Sequence, residues 1–216
     1  MSGTRKVLVI TGVVLLSSCV WITVDLPPHR AGANSTLPPA AYTGAQGEGT
    51  CVTCHTGSLD DGLGLALILN APAAYTPGQT YGIAVAVAKS GKSRWGFELT
   101  CLKNSDNTAA GTFANPTPYT GTQSQGGRNY VSHTTLNPGY DGTFADSLDG
   151  GGWVFSWTAP AQGSGAVTFS AVSVAADNNQ SANSGDDCYT STAASTEGPA
   201  TPLTPTTWGA IKRKFR

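Results

Sequence analysis

Charge, histidine and methionine are all scarce in this chain. Asp, Glu, Lys and Arg make up only 12% of its 216 residues, too few to coat the solvent faces of many helices. Cations are scarcest in the middle. Five Lys/Arg stand against eleven Asp/Glu between positions 40 and 195, so that span is acidic by six. A nucleic-acid partner is disfavoured, because phosphate binding needs a cationic surface. The sequence contains no GxSxG, no HExxH and no glycine-rich phosphate loop between a strand and a helix. No hydrolase or nucleotide-dependent enzyme is indicated, and no catalytic residue is assigned. Long apolar runs are missing too: Val7 to Leu16 is too short to span a bilayer as a stable helix.

That short run follows Arg5 and Lys6 and reads as an export signal. It leads into Leu16-Ser17-Ser18-Cys19, which resembles a bacterial lipobox. The expectation is that residues 1–18 are removed and Cys19 is lipidated, which anchors the chain to a membrane of the cell envelope. An ordinary signal peptide cut elsewhere is the alternative. Residues 19–45, with Pro27-Pro28 and Pro38-Pro39 and no sustained apolar period, read as a tether. Lipidation of Cys19 would leave four cysteines free to react: Cys51, Cys54, Cys101 and Cys188.

Two of these sit in Cys51-Val52-Thr53-Cys54-His55, a CxxCH motif. Thiols three positions apart can form thioethers to the two vinyl groups of one haem, while the next imidazole ligates its iron. The competing reading is a small-loop disulfide of Cys51 and Cys54, with His55 an exposed neighbour. The only methionine, Met1, leaves with the signal, so histidine–methionine ligation is excluded in the mature protein.

Gly, Ser, Thr, Ala and Asn dominate the rest, a composition that favours strands joined by tight turns. Tyr81, Ile83, Val85 and Val87 alternate with small residues; so do Trp95 to Cys101 and Trp153, Phe155, Trp157. Further strands are expected at Leu63–Leu69 (a buried one), around Thr112, at Tyr130–Thr135, at Val167–Val174 (bulged or wholly buried) and around Tyr189. Residues between Asn104 and Gln125 otherwise read as loop. Seven or so short strands with frequent turn signals predict an all-β fold, an antiparallel β-sandwich over residues 46–195. Asp141, Asp146, Asp149, Asp177, Asp186 and Asp187 match no EF-hand spacing and read as solvated loops rather than a calcium site.

Tyr75-Thr76-Pro77-Gly78, Trp95-Gly96-Phe97-Glu98-Leu99, Gly111-Thr112-Phe113, Tyr130-Val131-Ser132-His133-Thr134, Phe155-Ser156-Trp157-Thr158-Ala159-Pro160 and Gly185-Asp186 together resemble the Reeler (reelin N-terminal) domain. They are most similar to its bacterial "choice-of-anchor V" relatives, which carry CxxCH at the domain start. The resemblance covers roughly residues 45–192 and implies a Reeler-like, immunoglobulin-like sandwich of extracytoplasmic proteins. It also implies that a strand histidine, here His133, can join His55 as an axial ligand of a haem held at Cys51 and Cys54. Animal Reeler domains resemble this segment at His133 without being c-type cytochromes, so a structural role for His133 stays open. Cys101 and Cys188, which the family pattern does not require, are expected to pair as a disulfide in an exported domain.

Residues 196–216 read as a Thr/Pro-rich linker and a basic aromatic tail, with Trp208, Ile211 and Phe215 beside Lys212, Arg213, Lys214 and Arg216. The tail is similar to short W-G-x-I/L-K tags of exported bacterial proteins; sorting, membrane contact and contact with an acidic partner are its open readings. Two functions follow. One is a monohaem c-type electron-transfer lipoprotein that meets a redox partner protein. The other is a haem-free cell-surface binding or adhesion module with a structural CxxC disulfide.

Overall fold

The computed structural model describes residues 34–115, 117–182 and 184–199; the expected export signal, the lipidation candidate Cys19 and the expected basic tail lie outside the described residues. A turn of 3₁₀ helix, Cys51–Thr53, precedes ten strands: β1 (Gly64–Leu69), β2 (Ala74–Tyr75), β3 (Thr80–Lys89), β4 (Arg94–Lys103), β5 (Thr112–Ala114), β6 (Thr120–Gln125), β7 (Arg128–His133), β8 (Gly150–Thr158), β9 (Val167–Ala176) and β10 (Asp187–Glu197). They form two sheets, in the orders β1-β3-β8-β5 and β2-β10-β9-β4-β7-β6. Every pairing is antiparallel except the short β2–β10 pair, so the expected sandwich is the observed one.

Alternation decides what lies between the sheets. Ile83, Val85 and Val87 of β3 and Trp153, Phe155 and Trp157 of β8 face Phe97, Leu99 and Cys101 of β4 and Phe169 of β9, all buried. Each large apolar side chain so buried stabilises the fold by roughly 1.5–3 kcal/mol. The ring of Phe97 lies 4.6 Å from that of Trp153 and 5.9 Å from that of Phe155. Indole N–H groups in this core are satisfied: Trp153 donates to the Gly142 carbonyl at 2.6 Å and Trp157 to the Ala110 carbonyl at 2.8 Å.

The six-stranded sheet is covered on its other face as well. Glu98 and Thr100 of β4 and Val172 and Val174 of β9 point away from the sandwich core, yet all are buried. β9 pairs with β4 without interruption from Val167 to Ala176, so it is wholly buried and not bulged. The cover is the segment 34–57. Its stretch 34–45, expected to be tether, packs as a strap: Ala40, Thr43 and Ala45 are buried, and the Tyr42 N–H donates to Glu98 Oε2 at 2.8 Å. Small residues and prolines give it no period of its own, but they let the chain lie flat on a sheet. Farther on, Arg128 pairs with Glu48 at 2.6 Å and the Tyr130 hydroxyl donates to the same carboxylate at 2.8 Å.

Three strand expectations differ from the structure. β1 is an edge strand rather than a buried one: Leu65, Leu67 and Leu69 point outward at 41–47% exposure, while Ala66 faces the core. An apolar run on both sides of a strand does not reveal that one side stays uncovered. β6, expected as loop, is a polar strand on the far edge, where the Thr, Gln and Ser side chains need no apolar face. β10 continues to Glu197, past the expected boundary at 195, as a Ser/Thr/Ala strand paired with β9.

Candidate functional site

The CxxCH turn lies on the outer face of the six-stranded sheet, fixed by backbone bonds from both sides. Cys54 N–H and His55 N–H both donate to the Cys51 carbonyl, at 3.1 and 2.9 Å, closing the turn. Residues 56–60 then run beside β10: Thr56 N–H donates to the Ala182 carbonyl, Cys188 N–H to that of Ser58 and Asp60 N–H to that of Cys188. Gly57 permits this approach. A Cβ there would stand 1.1 Å from the Asp186 carbonyl oxygen, so no other residue fits.

The consequence is an imidazole held by a carboxylate. His55 Nδ1 donates to Asp186 Oδ2 at 2.6 Å, and Asp186 is 3% exposed. With Nδ1 committed, Nε2 is the nitrogen left for another partner, the arrangement that orients metal-ligating histidines.

His133, at the end of β7, is buried against β4. Gly96 makes its room, since a Cβ there would lie 2.9 Å from the imidazole Cε1. The Phe97 N–H donates to His133 Nδ1 at 3.0 Å, and His133 Nε2 donates to the Asn34 carbonyl at 3.2 Å. Burial holds its pKa below the ordinary histidine value, so the ring is neutral.

One cleft of about 270 Å³ is lined by Cys51, Cys54, His55 and His133 together, with Tyr42, Phe97 and Val174 among its apolar walls. Sequence positions 55 and 133 thus meet at one cavity. Arg94 also lines it, donating to Thr143 Oγ1 at 3.0 Å and Asn178 Oδ1 at 3.1 Å, both neutral oxygens. Glu98 completes the wall; burial, with repulsion from Glu48 added, pushes its carboxyl up to about 8 despite the Tyr42 N–H. At neutral pH it is mostly a protonated acid.

The thiols are not arranged as expected. Cys101 faces the sandwich core opposite Phe169 of β9, whereas Cys188 faces the strap opposite Val174. Those positions are five residues apart on β9, roughly 17 Å at about 3.3 Å per residue, beyond the ~7 Å that a disulfide can bridge. The fold therefore holds Cys101 and Cys188 too far apart to pair, and no disulfide joins the four cysteines among the described residues in this structure. Cys188 instead belongs to the small cluster with Val172 and Val174 on which Cys51 packs. That contact, then burial, raises the Cys51 pKa; burial, then Cys188, raises that of Cys54. Both are thiols, not reactive thiolates.

The acidic loops are spent on local bonds. Asp149 accepts from the Gly91 N–H at 2.7 Å, Asp146 from Asn178 at 3.1 Å, and Asp187 pairs with Lys92 at 3.0 Å. Among the described residues no group of three or more His, Cys, Asp or Glu is arranged to hold a bare metal ion. Asp186, Glu98 and Arg94 were missed as site residues by sequence reasoning. Asp186 stood out only as one acid among several, since nothing in the spacing links it to His55.

No family model matches the sequence, and no curated protein matches it. Among solved structures, the chain is similar to the human F-spondin reeler domain, with a TM-score of 0.44 at 20% identity over 66% of this chain and 95% of that one. The Reelin-N domain of F-spondin is similar at TM-score 0.44 and 20% identity, over 66% and 93% of the two chains. A type II cohesin domain from the cellulosome of Acetivibrio cellulolyticus gives 0.34 and 12%, over 61% and 94%.

Proposed function

We propose that this chain carries one covalently attached c-type haem in the cleft between the CxxCH turn and β7, and serves electron transfer from a lipid anchor at Cys19 in the cell envelope. The observation that carries this reading is the convergence of His55 and His133, 78 positions apart, on one cavity beside Cys51 and Cys54. When bound, the haem would supply a one-electron iron couple to a redox partner protein. The chain's residues would hold it as follows. Cys51 and Cys54 would provide the thioether sulfurs and His55 a nitrogen for the iron, with Asp186 raising its basicity. Phe97 and Val174 would keep water from the group, and Arg94 would offer a cation on the cleft wall to a carboxylate. At about 270 Å³ the cleft lies just below the roughly 300–1,000 Å³ of small-molecule sites, so a haem would be only partly enclosed.

His133 is the nitrogen on the other wall. To ligate through Nε2 it must release the Asn34 carbonyl, and its proton must move to Nδ1, where the Phe97 carbonyl stands 3.1 Å away to accept it. Replacing His133 by Ala is expected to turn a low-spin absorption spectrum into a high-spin one while the haem stays covalently attached. An unchanged low-spin spectrum would remove His133 from the site.

A haem-free binding module is the second reading, and one observation favours it. Leu65, Leu67 and Leu69 stand opposite Ala88, Ala86 and Ala84 of β3, which in turn face Gly150, Gly152 and Val154 of β8. This makes an uncharged outward strip on the four-stranded sheet, with Val154 50% exposed. Under this reading the protein takes up no haem in a cell where a control cytochrome matures.

A further inference from the structure

Cys188 has no part in the haem reading, yet it occupies the one place from which a third thiol can reach the CxxCH turn. It is fully buried on the outer face of β10, in a cluster with Val172 and Val174, and the turn packs on that cluster through Cys51 and Val52. Cys188 is the neighbour that acts most on Cys51, raising its pKa ahead of burial, whereas Cys54 contributes least. Backbone bonds on either side of both residues hold this contact: the Cys188 N–H and carbonyl are tied to Ser58 and Asp60, and the Cys51 carbonyl caps its own turn. Two thiols fixed against each other in an oxidising compartment are set to be joined.

We infer that Cys51 and Cys188 form a disulfide in the exported protein before haem is attached, so that this bond gates haem loading. Each thiol gives up its hydrogen as the S–S bond forms. The two protons and two electrons pass to the disulfide of a thiol–disulfide oxidoreductase of the compartment, which becomes a dithiol. Attack on the same bond by one thiolate of a reducing dithiol gives a mixed disulfide, which the second thiol of that dithiol resolves; both cysteines are returned, the dithiol becomes a disulfide, and only then does Cys51 have a sulfur available for a thioether. Cys54 is left unpaired until haem is attached, and the cross-link runs from the turn to β10 rather than within the CxxC motif, the competing reading of the sequence. The disulfide stands independently of the haem reading; its role as a gate rests on it.

The test uses the full-length chain exported to an oxidising compartment in a host without cytochrome c maturation. Peptides are mapped by mass spectrometry after alkylation without reduction. The expected result is a Cys51 peptide joined to the Cys188 peptide, with Cys54 and Cys101 alkylated. A Cys51–Cys54 bond, or alkylation of both Cys51 and Cys188, would overturn the proposal. As a second arm, Cys188→Ala and the parent are produced with the maturation machinery, with and without an added thiol reductant. The variant should show several-fold more covalent haem than the parent without reductant, and equal haem with it. Equal haem without reductant overturns the gate. Haem absent from both proteins in both media overturns the haem reading and the gate with it, while the peptide map still decides the disulfide.

Discussion

Glu98→Gln isolates the energetic cost of putting a carboxyl in the cleft wall. Glu98 is 1% exposed, and its pKa rises from 4.5 to about 8, chiefly by burial. The folded protein therefore binds this proton more tightly than the unfolded chain. Stability from this group is fully present below pH 4.5 and is lost as pH rises through 8. At about 1.4 kcal/mol per pH unit, the whole window costs the parent roughly 5 kcal/mol, and about 3 kcal/mol of that is already gone at pH 7. Glutamine resembles the protonated acid. Its carbonyl can accept the Tyr42 N–H as Glu98 Oε2 does at 2.8 Å, but its amide loses the weaker 3.3 Å bond that Glu98 Oε1 accepts from the Gln123 amide, a small constant cost at every pH. Urea unfolding of parent and variant between pH 4.5 and 9 should then show a variant slightly less stable than the parent at the acid end. The variant should gain steadily to several kcal/mol at the alkaline end. A stability difference that does not change with pH would refute the reasoning, because it would mean that Glu98 is ionised at little cost in the folded protein.

Two further substitutions probe how the site is held. Gly57→Ala would place a Cβ 1.1 Å from the Asp186 carbonyl oxygen, backbone against backbone; a loss of about 3 kcal/mol or more in urea unfolding is expected, and wild-type stability would contradict the close approach. Asp186→Asn keeps an acceptor for His55 Nδ1 but removes the charge, so the reduction potential of the haem-loaded protein should rise, and an unchanged potential would show that the carboxylate does not tune the ligand.

The sandwich was legible because its core strands alternate strictly: Ile83, Val85, Val87 and Trp153, Phe155, Trp157 mark one face without ambiguity. β6 was not, because a polar edge strand carries no apolar signature. At the site, local spacing announced the CxxCH turn, and the Reeler resemblance drew attention to His133. What no local pattern carries is the long-range pairing. Asp186 reaches His55 across 131 positions, and Cys188 meets Cys51 rather than Cys101, only because β10 runs beside the turn. The strap illustrates the same limit. Residues 34–45 look like linker in composition, and their place is set by hydrogen bonds to Glu98, Gln123 and His133 on strands far along the chain.

The central claim is that the cleft holds a covalent haem, and it is tested most directly by a pyridine haemochrome spectrum of the denatured, acid–acetone-extracted protein made in a host with cytochrome c maturation. The account predicts one haem c per chain, retained after extraction and lost when Cys51 and Cys54 are both replaced by Ala. A parent protein without covalent haem, from cells in which a control cytochrome matures, would contradict it.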